Sequence, residues 1–290
     1  MKILIILKRW IGGVGGGVKN ISKELRKLGH DVDIIAREED LGLMNLKGSV
    51  LKLRKEIKKR MKEKNYDIIY TQDWSIAFPL IFPYPIFWKK HFCMFHGKPQ
   101  GKPKKISYII GKLLGRKMLV MTPELKRMFP KANLNYCGVS LEQFKPLKEK
   151  REYFGWIEKG TEIITKEKIE EISKKLKLPL LIAKGFTHEE MNSKFYSKCK
   201  IFLSLPPSCA GFQASWLEAM AAGVPIVIGN NNGAGEVQPF DKIPLGKEND
   251  ADFIINCIKN AKKKDYIAWI KEHDFSWNRH AKRLIEIFRK

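Results

Sequence analysis

Residues 201–228 constrain the fold more than any other stretch, because in order they read as strand end, tight glycine loop, short helix, turn and buried strand. Ile201–Leu205 is an unbroken apolar run of strand length, and Ile226-Val227-Ile228 is a second, after Gly223-Val224-Pro225. Between them, Pro207-Ser208-Cys209-Ala210-Gly211 leads into a helix whose free backbone N–H groups and dipole face whatever lies beyond the strand's carboxyl end. Glu218 sits about one turn into that helix. A carboxylate there accepts hydrogen bonds from two neighbouring hydroxyls, as on a ribose, while the N–H groups take phosphate oxygens. The unit is built to hold a nucleoside diphosphate.

The same alternation runs through the rest of the chain and predicts an α/β protein with parallel sheets covered by helices on both faces. Strands are expected near residues 2–7, 31–36, 67–71, 92–95, 117–121 and 134–137, then near 152–155, 180–183, 200–205, 225–228 and 243–245. Val18–Leu28 reads as an amphipathic helix, and the second half predicts helices near 166–176, 188–198, 214–222, 250–262 and 264–272. At 290 residues the chain exceeds one ordinary core. Pro146 and the charged run Lys148–Glu152 mark a linker, which predicts domains 1–147 and 148–274 followed by a basic helix over 275–290.

A formal charge of +24, from 55 basic against 31 acidic residues, draws polyanions without saying which. Nucleic acid, an anionic membrane surface and phosphorylated substrates all satisfy it, and much of the charge also reads as solvated surface. Specific nucleic-acid binding has only this charge in its favour, since the chain lacks helix-turn-helix, zinc-finger and aromatic RNA-binding signatures. No segment offers the ~20 uninterrupted apolar residues of a spanning helix, and Met1–Leu7 runs into a glycine loop rather than a signal-peptide cleavage site. Cys93, Cys137, Cys199, Cys209 and Cys257 are scattered without paired or metal-ligand spacing. Together these features predict a cytoplasmic protein, peripheral if it meets a membrane. The Asp-x-Asp triplet Asp31-Val32-Asp33 alternates with apolar residues inside a strand, so no metal is expected there.

The motifs, taken in order, resemble retaining GT-B glycosyltransferases of family 4. The opening glycine loop Gly12-Gly13-Val14-Gly15-Gly16-Gly17 precedes a helix closing on Gly29-His30-Asp31-Val32. Gln72-Asp73-Trp74, Phe95-His96-Gly97, Gly138-Val139 with Phe144 and Pro146, and the stretch around Glu218 follow. The resemblance implies two Rossmann-like domains facing across a cleft, with the last helix crossing back to the first domain. It also implies transfer of a sugar, with retention, from a nucleoside diphosphate sugar to a hydroxyl acceptor such as a glycolipid or polysaccharide precursor. No cofactor besides the donor is implied.

Site residues follow from the same correspondence. Ser208, Gly211, Phe212, Gln213 and Glu218 fall on the donor signature, and Gly13 and Gly15 allow close backbone approach to the substrate. Lys159 is the first choice for the diphosphate, against a solvated turn lysine; where the family places an Arg this chain has Trp156, and topology alone, with Lys184 at the end of the strand Leu180–Ala183, offers that lysine as the replacement charge. Ala210 replaces a customary Glu, so that either Gln213 offers an amide to the sugar or sugar binding is weakened, and Ala210 with Trp156 leaves a non-catalytic nucleotide-sugar binder as an alternative. His96 is expected at the donor sugar or the acceptor, and Asp73 either orients an acceptor hydroxyl or makes an Asx turn. Lys47–Lys64 and Lys98–Lys117 are basic amphipathic stretches that either pack on a sheet or meet an anionic membrane.

Overall fold

In the computed structural model, β1 (Lys2–Leu7) is an interior strand of a first sheet, with Ile3 to Leu7 wholly buried, as an apolar strand is when helices cover both faces. The structure describes residues 1–10, 12–44, 46–98, 101, 104–158, 163–207, 212–229, 241–244, 246–261 and 264–290, with the side chains of 46–49 left aside. Two compact units divide the chain, Met1–Cys137 with Trp277–Lys290 and Gly138–Ser276.

In the first unit β1 is followed by α1 (Gly13–Lys27), β2 (Asp31–Ala36), α2 (Leu46–Lys64), β3 (Ile68–Gln72) and α3 (Trp74–Ile81). Then come β4 (His91–Phe95), α4 (Lys104–Leu114), β5 (Met118–Val120), α5 (Pro123–Met128) and β6 (Asn133–Leu134). The strands lie in the order β2-β1-β3-β4-β5-β6, all parallel, so the order reverses beside β1 and opens a crevice at the carboxyl ends of β1 and β3. The last helix, α10 (Trp277–Phe288), packs in this unit: its Phe288 ring lies 5.4 Å from Tyr70 and 4.9 Å from Phe92, and Asn278 reaches Glu24 on α1.

The second unit runs β7 (Tyr153–Ile157), α6 (Lys166–Leu176), β8 (Leu180–Ala183), β9 (Cys199–Ser204), α7 (Ala214–Ala221), β10 (Ile226–Gly229), β11 (Asp241–Ile243), α8 (Ala251–Asn260) and α9 (Tyr266–Glu272). Its sheet order is β11-β10-β9-β7-β8, again parallel, with the reversal between β7 and β9. Residues 138–147 pack in this unit, where Asn192 donates to the Lys145 carbonyl.

Several local expectations are corrected. The helix expected over 188–198 is instead a π-helical turn, Met191–Phe195, followed by a 3-10 turn, Tyr196–Lys198. Phe195, at the end of the widened turn, and the adjacent Tyr196 both reach the core. The strand expected over 134–137 shrinks to Asn133–Leu134, and that expected over 243–245 lies at Asp241–Ile243. The two basic stretches behave differently from each other. On α2, Leu53, Ile57 and Met61 enter the core while Leu51 is 74% exposed; on α4, Ile110 and Leu114 pack inward, but Ile106, Tyr108, Ile109 and Leu113 stay exposed.

Candidate functional site

The expected site residues fall into two groups, one in each unit. In the first, Gly12 caps α1 at φ 88°, a left-handed conformation that glycine adopts without strain. A Cβ on Gly15 would lie 1.8 Å from the Trp10 carbonyl oxygen, so glycine there is required by packing of the turn on its own helix. A Cβ on Gly13 would meet nothing within 4 Å, which leaves backbone approach by a ligand sterically open at that position.

Asp73 follows β3 at the reversal point. Its φ of 91° and ψ of 153° put it in a region that is nearly glycine-only, at a cost of order 1–3 kcal/mol. The turn is held by its N–H donating to the Met94 carbonyl (2.8 Å) and by Oδ1 accepting from the Trp74 N–H (2.7 Å), which caps α3. Burial pushes its pKa up to about 6, against the pull of the Trp74 N–H, the Ser75 hydroxyl and Lys8. A carboxyl group poised near neutrality on a strained turn is the kind of group that active sites concentrate. The folded state therefore holds its proton more tightly than the unfolded chain does. Its contribution to stability is complete below the unfolded value of 3.8 and is lost as pH rises through about 6. Asp73→Asn is accordingly expected to gain about 1–2 kcal/mol on the parent between pH 4 and 7, allowing for partial solvent screening. Urea titrations at the two pH values check this, and a pH-independent difference contradicts it.

His96 ends β4 on the neighbouring strand. Its Nε2 is 2.9 Å from Gln72 Oε1 and its Nδ1 is 3.0 Å from Met121 Sδ. Burial, helped by His280, pushes its pKa down to about 4, so the ring is neutral at physiological pH. Gln72 is buried, and its Nε2 has no partner among the described residues. The carboxyl ends of β3 and β4 thus hold a neutral imidazole, an amide donor and a carboxyl group side by side.

In the second unit, Glu218 lies on α7 and is only 8% exposed. Its Oε2 accepts from the Tyr196 hydroxyl (2.9 Å) and its Oε1 is 3.0 Å from His188 Nε2. The far end of α7 is anchored by Arg151, whose guanidinium donates to the carbonyls of Ala222 and Gly223, a cation placed where the helix dipole is negative. Phe212 precedes the helix and packs edge-to-face on Trp216 at 5.4 Å, and Gln213 is the N-cap. Lys184, one residue past β8, pairs with Glu158, one residue past β7, at 3.0 Å; the lysine side chain is 73% exposed and the pair is weak enough to open. Trp156 lies in the core of this unit rather than at a phosphate-contacting surface. Lys159, Ser208 and Gly211 lie outside the described residues, as does Ala210.

His188, Tyr196 and Gln143 are the site residues that the sequence did not single out. Only His188 carried a usable signal, since it stands in the segment after the carboxyl end of β8, where α/β sheets place ligand-contacting residues. Among the described residues no group of three or more His, Cys, Asp or Glu side chains is arranged to hold a metal ion. The Asp31 and Asp33 carboxylates accept from Lys64 Nζ at 2.9 and 2.7 Å, and Tyr66 donates to Asp33.

Residues 11–137 match Glycosyltransferase Family 4. No curated protein matches the chain. Among solved structures, sucrose-phosphate synthase from Thermosynechococcus elongatus is similar with a TM-score of 0.72 at 15% identity, over 99% of this chain and 98% of that one. A glycosyltransferase from Rickettsia africae gives 0.67 at 19% identity, over 99% and 97%. HepE from Anabaena, solved with UDP and glucose, gives 0.64 at 14% identity, over 99% and 98%. Identities this low establish the fold, two parallel α/β sheets of the GT-B type, and the family match covers the first of the two units. The chain has the GT-B fold of known glycosyltransferases, and its residues 11–137 are similar to Glycosyltransferase Family 4.

Proposed function

We propose that the protein moves a sugar, with retention, from a nucleoside diphosphate sugar to a hydroxyl acceptor. The observation that carries the reading is Glu218: a buried carboxylate on the helix after β9, beside the reversal of strand order, in a fold whose relative HepE was solved with UDP and glucose. Glu218 takes the ribose hydroxyls, and Gln213, Phe212, Ser208 and Gly211 line the donor. Lys159 and Lys184 meet the diphosphate, the latter by leaving Glu158. Same-face attack balances as follows. The acceptor oxygen bonds to the anomeric carbon, the bond from that carbon to the phosphate oxygen breaks, and the leaving phosphate takes the acceptor proton. His96, being neutral, makes one hydrogen bond at the sugar or acceptor by leaving the weak contact of its Nδ1 with Met121 Sδ, and Asp73 orients the acceptor hydroxyl. No metal enters this scheme.

Thermal-shift measurements against UDP-, GDP- and ADP-sugars test the reading, because a ligand selective for the native state raises the melting temperature by mass action. Stabilisation by one donor, followed by release of its nucleoside diphosphate with acceptor, supports transfer. Binding without turnover favours a non-catalytic nucleotide-sugar binder. Salt-sensitive binding of nucleic acid alone favours the basic nucleic-acid reading.

The acceptor proposed is a lipid-linked one presented at an anionic cytoplasmic membrane surface. α4 exposes Ile106 (41%), Ile109 (49%) and Leu113 (50%), with Lys104, Lys105 and Lys112 on the same helix. No helix among the described residues is long and apolar enough to cross a membrane, so attachment through this face is peripheral. Neutralising Lys104, Lys105 and Lys112 is expected to weaken binding to phosphatidylserine vesicles by about 1 kcal/mol per lysine. Equal sedimentation of variant and parent with such vesicles would point to a soluble acceptor.

A further inference from the structure

We infer that His188, pinned by Gln143, is a positioning residue that sets the Glu218 carboxylate for the two ribose hydroxyls and so makes the site selective for ribonucleotides. The inference rests on the nucleotide-sugar reading above.

Gln143 Nε2 lies 3.2 Å from the His188 carbonyl oxygen and 3.0 Å from His188 Nδ1. A carbonyl oxygen only accepts, so the NH2 end of the amide faces His188, and Nδ1 then accepts its other hydrogen. A neutral imidazole whose Nδ1 accepts carries its hydrogen on Nε2, and that hydrogen points at Glu218 Oε1, 3.0 Å away. On the other side, the Tyr196 hydroxyl donates to Oε2 at 2.9 Å. Tyr196 is fully buried, and burial together with the Glu218 charge raises its pKa well above the ordinary value, so it stays a donor. Phe144 packs edge-to-face on both rings, 5.1 Å from His188 and 5.9 Å from Tyr196.

One donor on each oxygen fixes the plane of the carboxylate. An ionised carboxylate offers about four lone-pair directions, and the two donors found among the described residues leave one direction on each oxygen. Two acceptor directions on neighbouring oxygens suit a pair of adjacent hydroxyls, the 2′ and 3′ positions of a ribose, better than a single hydroxyl. Without His188 the carboxylate keeps one donor and turns about it, and the second ribose hydroxyl loses its alignment.

Calorimetry decides, with whichever of UDP, GDP and ADP binds the parent most tightly and with the 2′-deoxy counterpart of that nucleotide. His188→Phe, which keeps the ring packing on Phe144, is expected to weaken ribonucleotide binding about tenfold and to change deoxynucleotide binding by less than about twofold. His188→Gln retains an N–H donor and recovers most of the loss. The double variant with Glu218→Gln binds no more weakly than Glu218→Gln alone, because both act on one contact. A merely structural role would lower the melting temperature and weaken both nucleotides equally. If His188→Phe fails to fold, Gln143→Leu gives the same measurement, with an expected loss of about threefold for the ribonucleotide. A folded His188→Phe with an unchanged preference for ribose overturns the inference while leaving the nucleotide reading intact. Unchanged ribonucleotide affinity in Glu218→Gln overturns the nucleotide reading itself.

Discussion

Replacing Glu218 by Gln is expected to weaken nucleotide binding by roughly 1–3 kcal/mol, the scale of a lost charge-assisted hydrogen bond, with the fold retained. The fold survives because every partner can be satisfied. The new amide oxygen accepts from His188, its NH2 group donates to the Tyr196 hydroxyl, and that hydroxyl turns to the Ser215 carbonyl, already 3.3 Å away. Glu218→Ala is expected to behave differently, since it removes a buried side chain and leaves a cavity beside Tyr196, and should lower stability as well as affinity. Isothermal titration alongside thermal denaturation separates the two variants. A folded Glu218→Gln protein with parental affinity would remove the central assignment of the donor site.

His96→Ala is expected to lower turnover by about a hundredfold, the usual effect of removing one oriented hydrogen-bonding group from a reacting centre. Nucleotide affinity should change by less than about twofold, because Glu218 and its partners belong to the other unit. Steady-state kinetics and direct titration read the two effects separately, and an equal loss in both would recast His96 as a support for the fold. The pH dependence adds a second check. Burial holds the His96 pKa at about 4 instead of 6.5, so between those values the unfolded chain binds more protons. Stability from the neutral ring is therefore present above pH 6.5 and is lost as pH falls through about 4. The acid limb of turnover should then follow Asp73, with its pKa of about 6, and disappear in Asp73→Asn. An acid limb near 6.5 that vanishes only in a His96 variant would contradict the neutral ring.

Signals that act over a few residues were enough for the fold. Unbroken apolar runs placed β1 at Lys2–Leu7 and β8 at Leu180–Ala183 with the bounds observed, and the periodic segment 166–176 became α6 behind its Thr165 cap. A strand buried on both faces needs continuous apolar residues, and a helix end needs a local cap, so both are written in contiguous sequence. The alternation of such elements is what predicts a doubly covered parallel sheet, and two of them are present. The departures came where neighbours far along the chain decide the outcome. At the π-helical turn Met191–Phe195, Phe195 and the following Tyr196 are both buried, a fact about what surrounds them. The apolar residues of Lys98–Lys117 show the same limit: their spacing suits one broad buried face, yet Ile110 and Leu114 are covered and Ile106, Ile109 and Leu113 are not.

For the site, the sequence by itself determined which residues end the parallel strands: Asp73 after β3, His96 after β4 and Glu218 on the helix that follows β9. Strand ends are local, and in α/β sheets they face the crevice where ligands bind. Only the tertiary structure decided what those residues are able to do. Burial, not sequence, moves Asp73 up to about 6 and His96 down to about 4, because desolvation of a charge depends on atoms from other elements. The surroundings of Glu218 are likewise drawn from residues 143, 188 and 196, three segments with no shared motif, joined only when β7, β8 and β9 align in one sheet. Hydrogen-bond direction and desolvation are properties of three-dimensional neighbourhood, and no spacing along the chain encodes them.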